Sequence, residues 1–552
     1  MLEDILQQEL YLQEYHCHYK KQNKKMKNTY IKLIAFIVSI QMGIVSCSDD
    51  FTNLDPLGST SYENFWKTEQ DALEATNSMY EYMRAEEMFA RGFFWYINAS
   101  DDMVTGRLNA TADNIKNFNV TGDEGYTSKM YKQGYKVIRR ANDVILNVPQ
   151  MNISQSTKNR LLGEAYFMRG FHYFWLAHTY GDNGTNGGIP IVTEENMNNE
   201  AGSYERPQSV IENYEFVVED LKRAADLLPL FTEMGEGDYG RAHKDAALAY
   251  IAKTYLYWAQ YDSSKYADVV TYCDAVTNSG SGRALIDTDN PKKDFRLLHS
   301  HLNNWTSEYI WSVDSGVEGG SILPGVMLEN KGWGLYNGWG YYTPTQDLYN
   351  EFETNDARRE VTILKFGDEF QFFGETRKYQ SENSLSGFQF NKYMYEYGME
   401  NPVGNSINSN GNAPTTLYNV PVMRYAEILL MKSEALIQQG GNGDADLNRV
   451  RERAGLAPVT NATLEDIKHE RRVEFAGEFA NRHYDLVRWG DAAEVYSKPL
   501  YGRIHSDRSN PDSDYTVEQV WQARNFDPSY MHVWPIPNEA IISSGIKQNT
   551  GW

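Results

Sequence analysis

A chain of 552 residues can bury a large core, and with 41% hydrophobic and 23% charged residues it is neither a membrane bundle nor a disordered tail. Its formal net charge of −23 argues against nucleic acid as a partner, because holding phosphates needs a basic footprint. Three cysteines, Cys17, Cys47 and Cys273, fit no metal-ligand spacing and no thiol-redox motif.

Residues 1–25 read as an upstream extension. Glu3, Asp4, Glu9 and Glu14 do not suit the positive start of a targeting signal, and Met26 is the better initiator. From Met26 the chain reads MKNTYIKLIAFIVSIQMGIVSC: two lysines, an apolar run from Leu33 to Val45, then small residues. That is the layout of a secretory signal over 26–46, and the apolar run is too short to span a bilayer as a mature helix. Ile44-Val45-Ser46-Cys47 resembles a bacterial lipobox, which makes Cys47 the lipidated first residue of the mature protein. Only Cys273 then remains unmodified, so the fold must stand on its core without an internal disulfide. Ser48-Asp49-Asp50 opens an acidic tether over 47–60 and resembles the tag of surface-exported lipoproteins.

Helical periodicity follows in two zones. In the first, 69–280, the spacing predicts helices over Glu69–Arg91, Tyr126–Asn147, Ser156–Tyr180, Pro207–Leu228 and Lys244–Gln260. Leu248, Ile251, Ala252, Tyr255 and Ala259 fall on one face of the last. Between residues 281 and 419 the chain turns rich in Gly, Asn, Trp and Tyr, predicting long loops with short helices and hairpins, and Gly398–Thr416 reads as an exposed loop. The second zone, 420–490, predicts helices over Val422–Gln439, Asp444–Ala454 and Leu464–Trp489. The small and aromatic alternation of AALAYIAKTYLYWAQYDSSKYADVVTYCDAV suits closely packed, tetratricopeptide-like helix pairs, though their period is irregular. The fold class expected is therefore mostly α, with an irregular, loop-rich half.

No catalytic constellation appears. Asp101-Asp102 and Glu194-Glu195 are adjacent carboxylates, whereas a glycosidase needs two on opposite sides of a bond, and no distant partner for either pair is evident. The sequence lacks H-E-x-x-H, G-x-S-x-G and P-loop patterns. Gly106 and Gly122 read as isolated turn glycines.

The C-terminal third contains VPVMRYAEILLMKSEALIQQGG, DLNRVRERAGL, EDIKHERRVEFAGEF, RHYDLVRWGD and HVWPIPNEAI. In that order and spacing these resemble the SusD/RagB family of outer-membrane nutrient-binding lipoproteins. GEAYFMRGFHYFWLAHTYGDNGTNGGIP, Gly338-Trp339-Gly340 and Pro344-Thr345-Gln346 extend the match over the mature chain. Glu474–Arg482 carries one residue more than the family pattern, and Thr550 and Trp552 replace the commoner Pro and Tyr. The resemblance implies a single SusD-like domain over 61–552, anchored to the outer membrane by lipid alone and facing the cell exterior. It implies a SusC-like TonB-dependent barrel as partner and capture of a glycan oligomer. No enzyme activity, cofactor or metal is implied, and peptide capture or a ligand-free helical scaffold are the alternative readings.

Arg471, Arg472, Glu474, Arg482, Asp485 and Arg488 read as ion pairs bracing the C-terminal helices, and Trp339 and Trp534 as packing. A sugar needs aromatic planes for its C–H faces and polar groups for its hydroxyls. Two clusters outside helical stripes offer them: Trp95 leading into Asp101 and Arg107, and Trp333, Tyr336 and Tyr341 on the Gly-rich loop. Trp305 and Trp311 are the reserve candidates.

Overall fold

Thr68, Ser154, Ser209 and Thr463 each accept a backbone N–H from the turn that follows, so four helices open where a short polar side chain precedes an apolar run. Thr68, Ser209 and Thr463 complete capping boxes with Asp71, Glu212 and Asp466. The computed structural model describes residues 65–85, 88–89, 94–107, 109–314, 340–372, 375–380, 384–393, 418–478, 480 and 482–552. The upstream extension, signal, Cys47, tether, Trp339 and the 398–416 loop lie outside these residues.

The helices are α1 (Glu69–Glu81), α2 (Phe94–Asn98), α3 (Ala110–Lys116), α4 (Gly125–Asn147), α5 (Gln155–Tyr180), α6 (Val210–Leu227), α7 (Lys244–Trp258), α8 (Tyr266–Thr277), α9 (Pro291–Leu298), α10 (Gln346–Glu351), α11 (Ala357–Thr362), α12 (Tyr425–Gln438), α13 (Asp444–Arg453), α14 (Leu464–Glu474), α15 (Arg482–Trp489), α16 (Ala492–Tyr496) and α17 (Asn538–Ser544). Strands β1 (Met103–Thr105), β2 (Tyr309–Val313), β3 (Tyr342–Pro344), β4 (Ile363–Lys365), β5 (Glu369–Phe372), β6 (Glu375–Lys378), β7 (Phe388–Phe390), β8 (Val420–Arg424), β9 (Leu500–His505) and β10 (Tyr515–Trp521) pair two by two. The antiparallel ladders are β1–β3, β2–β8, β4–β7, β5–β6 and β9–β10. The fold is mostly α, as the periodicity and the resemblance predict.

Helices α4 to α8 pack each against the next, α8 packs on α12, and α12 on α13 and α14, so the two helical zones form one continuous stack. Helices α5 and α7 sink into this stack instead of showing it one face. Around Leu248, Ala246, Ala247, Tyr250, Leu256 and Tyr257 are buried too, because alanines on the flanks of α7 let α6 and α8 close in from both sides. Cys273 is a buried free thiol on α8, and burial raises its pKa well above the usual value.

Four helix boundaries differ from expectation, and the simplest is the helix expected from Pro207, which starts at Val210 behind the Ser209 cap. The first helix stops at Glu81, runs through a 3-10 turn at Tyr82–Arg84 and leaves at Ala85, whose backbone is extended (ψ 142°). The run predicted to start at Val422 begins as a strand, because Val420–Arg424 finds a partner in Tyr309–Val313. The run Leu464–Trp489 breaks after Glu474, where Gly477 adopts φ +76° and a Cβ would stand 2.9 Å from the Phe390 ring. That break falls in the segment carrying the extra residue.

Candidate ligand-binding face

Strand β1 starts from a tight turn, Asn98–Asp102, that four cations hold from behind. Lys116 Nζ donates to the carbonyls of Asn98 and Ser100, both at 3.1 Å. Arg524 donates to the Ala99 carbonyl at 2.5 Å. Arg482 forks onto the Asp101 carboxylate at 2.5 and 3.0 Å. Arg472 spans Asp101 at 2.9 Å, Asp102 at 2.8 Å and Glu351 at 3.0 Å. Burial alone would raise the Asp101 carboxyl, but the Arg472 and Arg482 guanidinium groups outweigh it and hold its pKa far below the carboxylate range. Burial likewise lowers the Lys116 ammonium well below its usual value.

Two expected site residues are placed elsewhere. Asp101 is buried and spends its carboxylate on Arg472 and Arg482, so it positions β1 and is not presented to a sugar hydroxyl. The partners of the adjacent carboxylates are arginines, 381 and 370 residues along the chain, and not a second carboxylate across a bond. Trp95 is also core: its indole has 0% exposure and meets Trp534 edge-on at 5.1 Å between centroids. Trp534 lies in the core as expected, with 1% exposure. Arg471, Arg488, Asp485 and Glu434 form the brace expected of the C-terminal helices, with Arg471–Asp485 and Arg488–Asp485 both at 2.9 Å.

From the clamped turn, β1 runs beside β3 in the register Met103↔Pro344, Val104↔Thr343 and Thr105↔Tyr342. The pairing continues past the ladder, as Gly106 N donates to the Tyr341 carbonyl at 2.6 Å. A Cβ at Gly106 would stand 2.3 Å from the Gly340 oxygen, so this approach requires glycine. The ladder thereby brings exposed Arg107 over the half-buried Tyr341 ring, 4.8 Å from its centroid. These two expected site residues, 234 positions apart in the sequence, meet at the surface end of an otherwise buried ladder.

Trp333 and Tyr336 lie outside the described residues, which the chain leaves after Asp314 and re-enters at Gly340. At the Asp314 end is a concavity of about 460 Å³ lined by Asn77, Tyr80, Tyr239, Arg241 and Asp314. Half-buried Trp305 stands 5.7 Å from Tyr239. Trp311, the other reserve candidate, is core at 3% exposure and packs on Phe167 at 4.7 Å. Tyr80, Tyr239 and Arg241 were missed in the sequence, because the first sits in a helical stripe and the others in a short loop without a motif. Among the described residues no group of His, Cys, Asp and Glu gathers to hold a metal ion, and no helix is long and apolar enough to cross a membrane.

Residues 307–552 match the family model described as SusD family, and residues 54–256 the one described as starch-binding associating with outer membrane. SusD-like protein P2 of Formosa agariphila is 28% identical over 504 residues, covering 86% of this chain and 92% of that protein. A solved SusD-like protein from Bacteroides fragilis superposes with a TM-score of 0.74 at 24% identity, covering 90% of this chain and 100% of that one. Surface glycan-binding protein A from Bacteroides thetaiotaomicron, solved in complex with laminarihexaose, gives 0.67 at 20% identity over 87% and 99% of the two chains.

Proposed function

Because the chain belongs to the SusD/RagB-like family, we propose that it is a cell-surface lipoprotein that captures oligosaccharides and hands them to a TonB-dependent outer-membrane barrel. The observation that carries the reading is the Arg107–Tyr341 pair, an aromatic plane with a guanidinium beside it at the surface edge of a clamped ladder. A glycan offers flat C–H patches ringed by hydroxyls, and this pair supplies a partner for each. Trp333 and Tyr336 extend the platform in this reading, from the segment that rejoins the structure at Gly340. The bound sugar is held and released with no bond made or broken.

Tyr341→Ala tests the site. Losing a stacked aromatic costs about 1–3 kcal/mol, so affinity for a glycan identified on an array should fall roughly five- to hundredfold in calorimetry. The melting temperature should stay near that of the wild type, since the ring is only half-buried. Undiminished binding by Tyr341→Ala would remove this face from consideration.

The anchor is tested separately. Cys47→Ala should release the protein from the outer-membrane fraction and remove the mass of the lipid, because one reversible acyl chain anchors only marginally and stable attachment needs several. Retention of the variant in the membrane with its mass otherwise unchanged would rule the anchor out.

A further inference from the structure

Helix α4 carries cations without acids over most of its length. Between Gly125 and Asn142 it holds Lys129, Lys132, Lys136, Arg139 and Arg140 and no acidic residue, in a protein of net charge −23. Lys132, Lys136 and Arg140 follow one another at four-residue steps, which places them along one helix face about 6 Å apart. That face borders an open concavity of about 600 Å³ between α4, Tyr82 and the start of α17. Pockets of roughly 300–1,000 Å³ hold small ligands.

The cations are arranged before any ligand arrives. Arg140 Cζ lies 4.7 Å and Lys136 Nζ 5.4 Å from the centroid of the Tyr82 ring. Arg140 also donates to the Tyr82 hydroxyl at 3.1 Å and the Ser78 carbonyl at 3.2 Å. Three carboxylates face the group: Glu539 pairs with Lys132 at 3.0 Å, Asp143 with Arg139 at 3.4 Å, and Glu81 stands 3.7 Å from Arg140. Lys136 is exposed and has no carboxylate partner among the described residues. Of the residues lining the concavity, four are cationic and two, Asp143 and Glu539, anionic.

We propose that this groove binds an anionic oligosaccharide, one bearing a carboxylate or sulfate on successive sugars. The inference rests on the glycan-capture reading and names a charge class for the ligand at a face separate from Arg107 and Tyr341. A step of about 6 Å between cations is comparable to the length of one pyranose, so successive sugar charges meet successive side chains. The groove is concave and walled by α17, which suits a chain laid along it better than a flat lipid surface.

The experiment is calorimetry of the full mature protein with hexagalacturonate and with laminarihexaose, at low and raised salt. The variant is Lys132→Glu/Lys136→Glu, both positions being exposed, with its melting temperature as a check on folding. The expected result is binding of hexagalacturonate that weakens with salt and falls about tenfold or more in the variant, with laminarihexaose unaffected by the change. Binding of the charged hexamer that ignores the reversal overturns the groove while leaving the Tyr341 face standing. Absence of binding to every glycan on an array overturns both readings. Phosphatidylglycerol vesicles and a hexaglutamate peptide run as parallel probes. If the reversal abolishes binding to either while hexagalacturonate does not bind, the groove is assigned to that surface and the sugar proposal fails.

Discussion

Arg424→Met is expected to lower the unfolding free energy by about 3–5 kcal/mol, the cost of leaving buried charge without its partner. Arg424 ends β8 with 2% exposure and holds Glu308 at 2.7 Å, Glu474 at 2.9 Å and Glu478 at 2.7 Å. Those carboxylates are shared further. Glu474 also meets Arg358 at 3.0 Å and Arg453, Glu478 meets Lys392 at 2.7 Å, and Glu308 meets Arg453 at 3.1 Å. Burial would raise Glu474 and Glu478, but the surrounding cations prevail and hold both below the ordinary carboxylate range. A hydrophobic replacement of the whole network could match its stability, so what it contributes is position. It ties β8, the residue before β2, α11, α13 and the turn after α14 into one arrangement. Equilibrium denaturation checks the stability, with Arg424→Lys, which keeps the charge and loses the fork, falling between wild type and Arg424→Met. A loss below about 1 kcal/mol for Arg424→Met would show the network relaxing around the gap.

How much of this was legible in the sequence depends on the range of the interaction. Capped helices with long periodic runs, such as Gln155–Tyr180, could be located within a residue or two because both signals are local. The strand Val420–Arg424 was hidden because its partner lies over a hundred residues upstream, and VPVMR alone reads as a helix start. Trp95 was misplaced for a similar reason. Its helix is five residues long, too short to show a stripe, and the ring that covers it is Trp534. The ion-pairing of Arg472 and Arg482 was readable from composition, but not that both reach back to Asp101. Conversely, Arg107 and Tyr341 stand out by chemistry alone, and the ladder that joins them depends on the close approach to Gly340 of Gly106, which in the sequence reads as an isolated turn glycine.

Stability should fall steeply as pH drops from about 6.5 toward 5, driven by histidines buried in neutral form. His172 is lowered to about 4, His178 to about 3 and His483 to about 3, in each case chiefly by burial. Their Nδ1 atoms bond the Met168 carbonyl, the Phe174 carbonyl and the Tyr496 hydroxyl at 2.7, 2.7 and 2.8 Å. The positive charges of Lys253 and Arg524 disfavour protonation of His178 and His483 further. A folded pKa below the unfolded value of about 6.5 means the unfolded chain binds the proton first. The stabilisation is therefore complete above pH 6.5 and is lost as pH falls toward the folded values. Each histidine contributes about 1.4 kcal/mol per pH unit in that window, or about 4 kcal/mol per unit for the three. His469 works in the opposite sense. Burial pulls it down, but the hydrogen bond and charge of Glu351 prevail and raise it, so its stabilisation is complete below about pH 6.5 and is lost as pH rises through the raised value, outside this window. The window lies above the range in which Glu474 and Glu478 take up protons, which separates the two effects. His178→Gln isolates one proton: its stability deficit against wild type should shrink by about 2 kcal/mol between pH 7 and pH 5. A deficit that stays constant across that range would mean His178 is protonated as readily in the folded protein as in the unfolded chain.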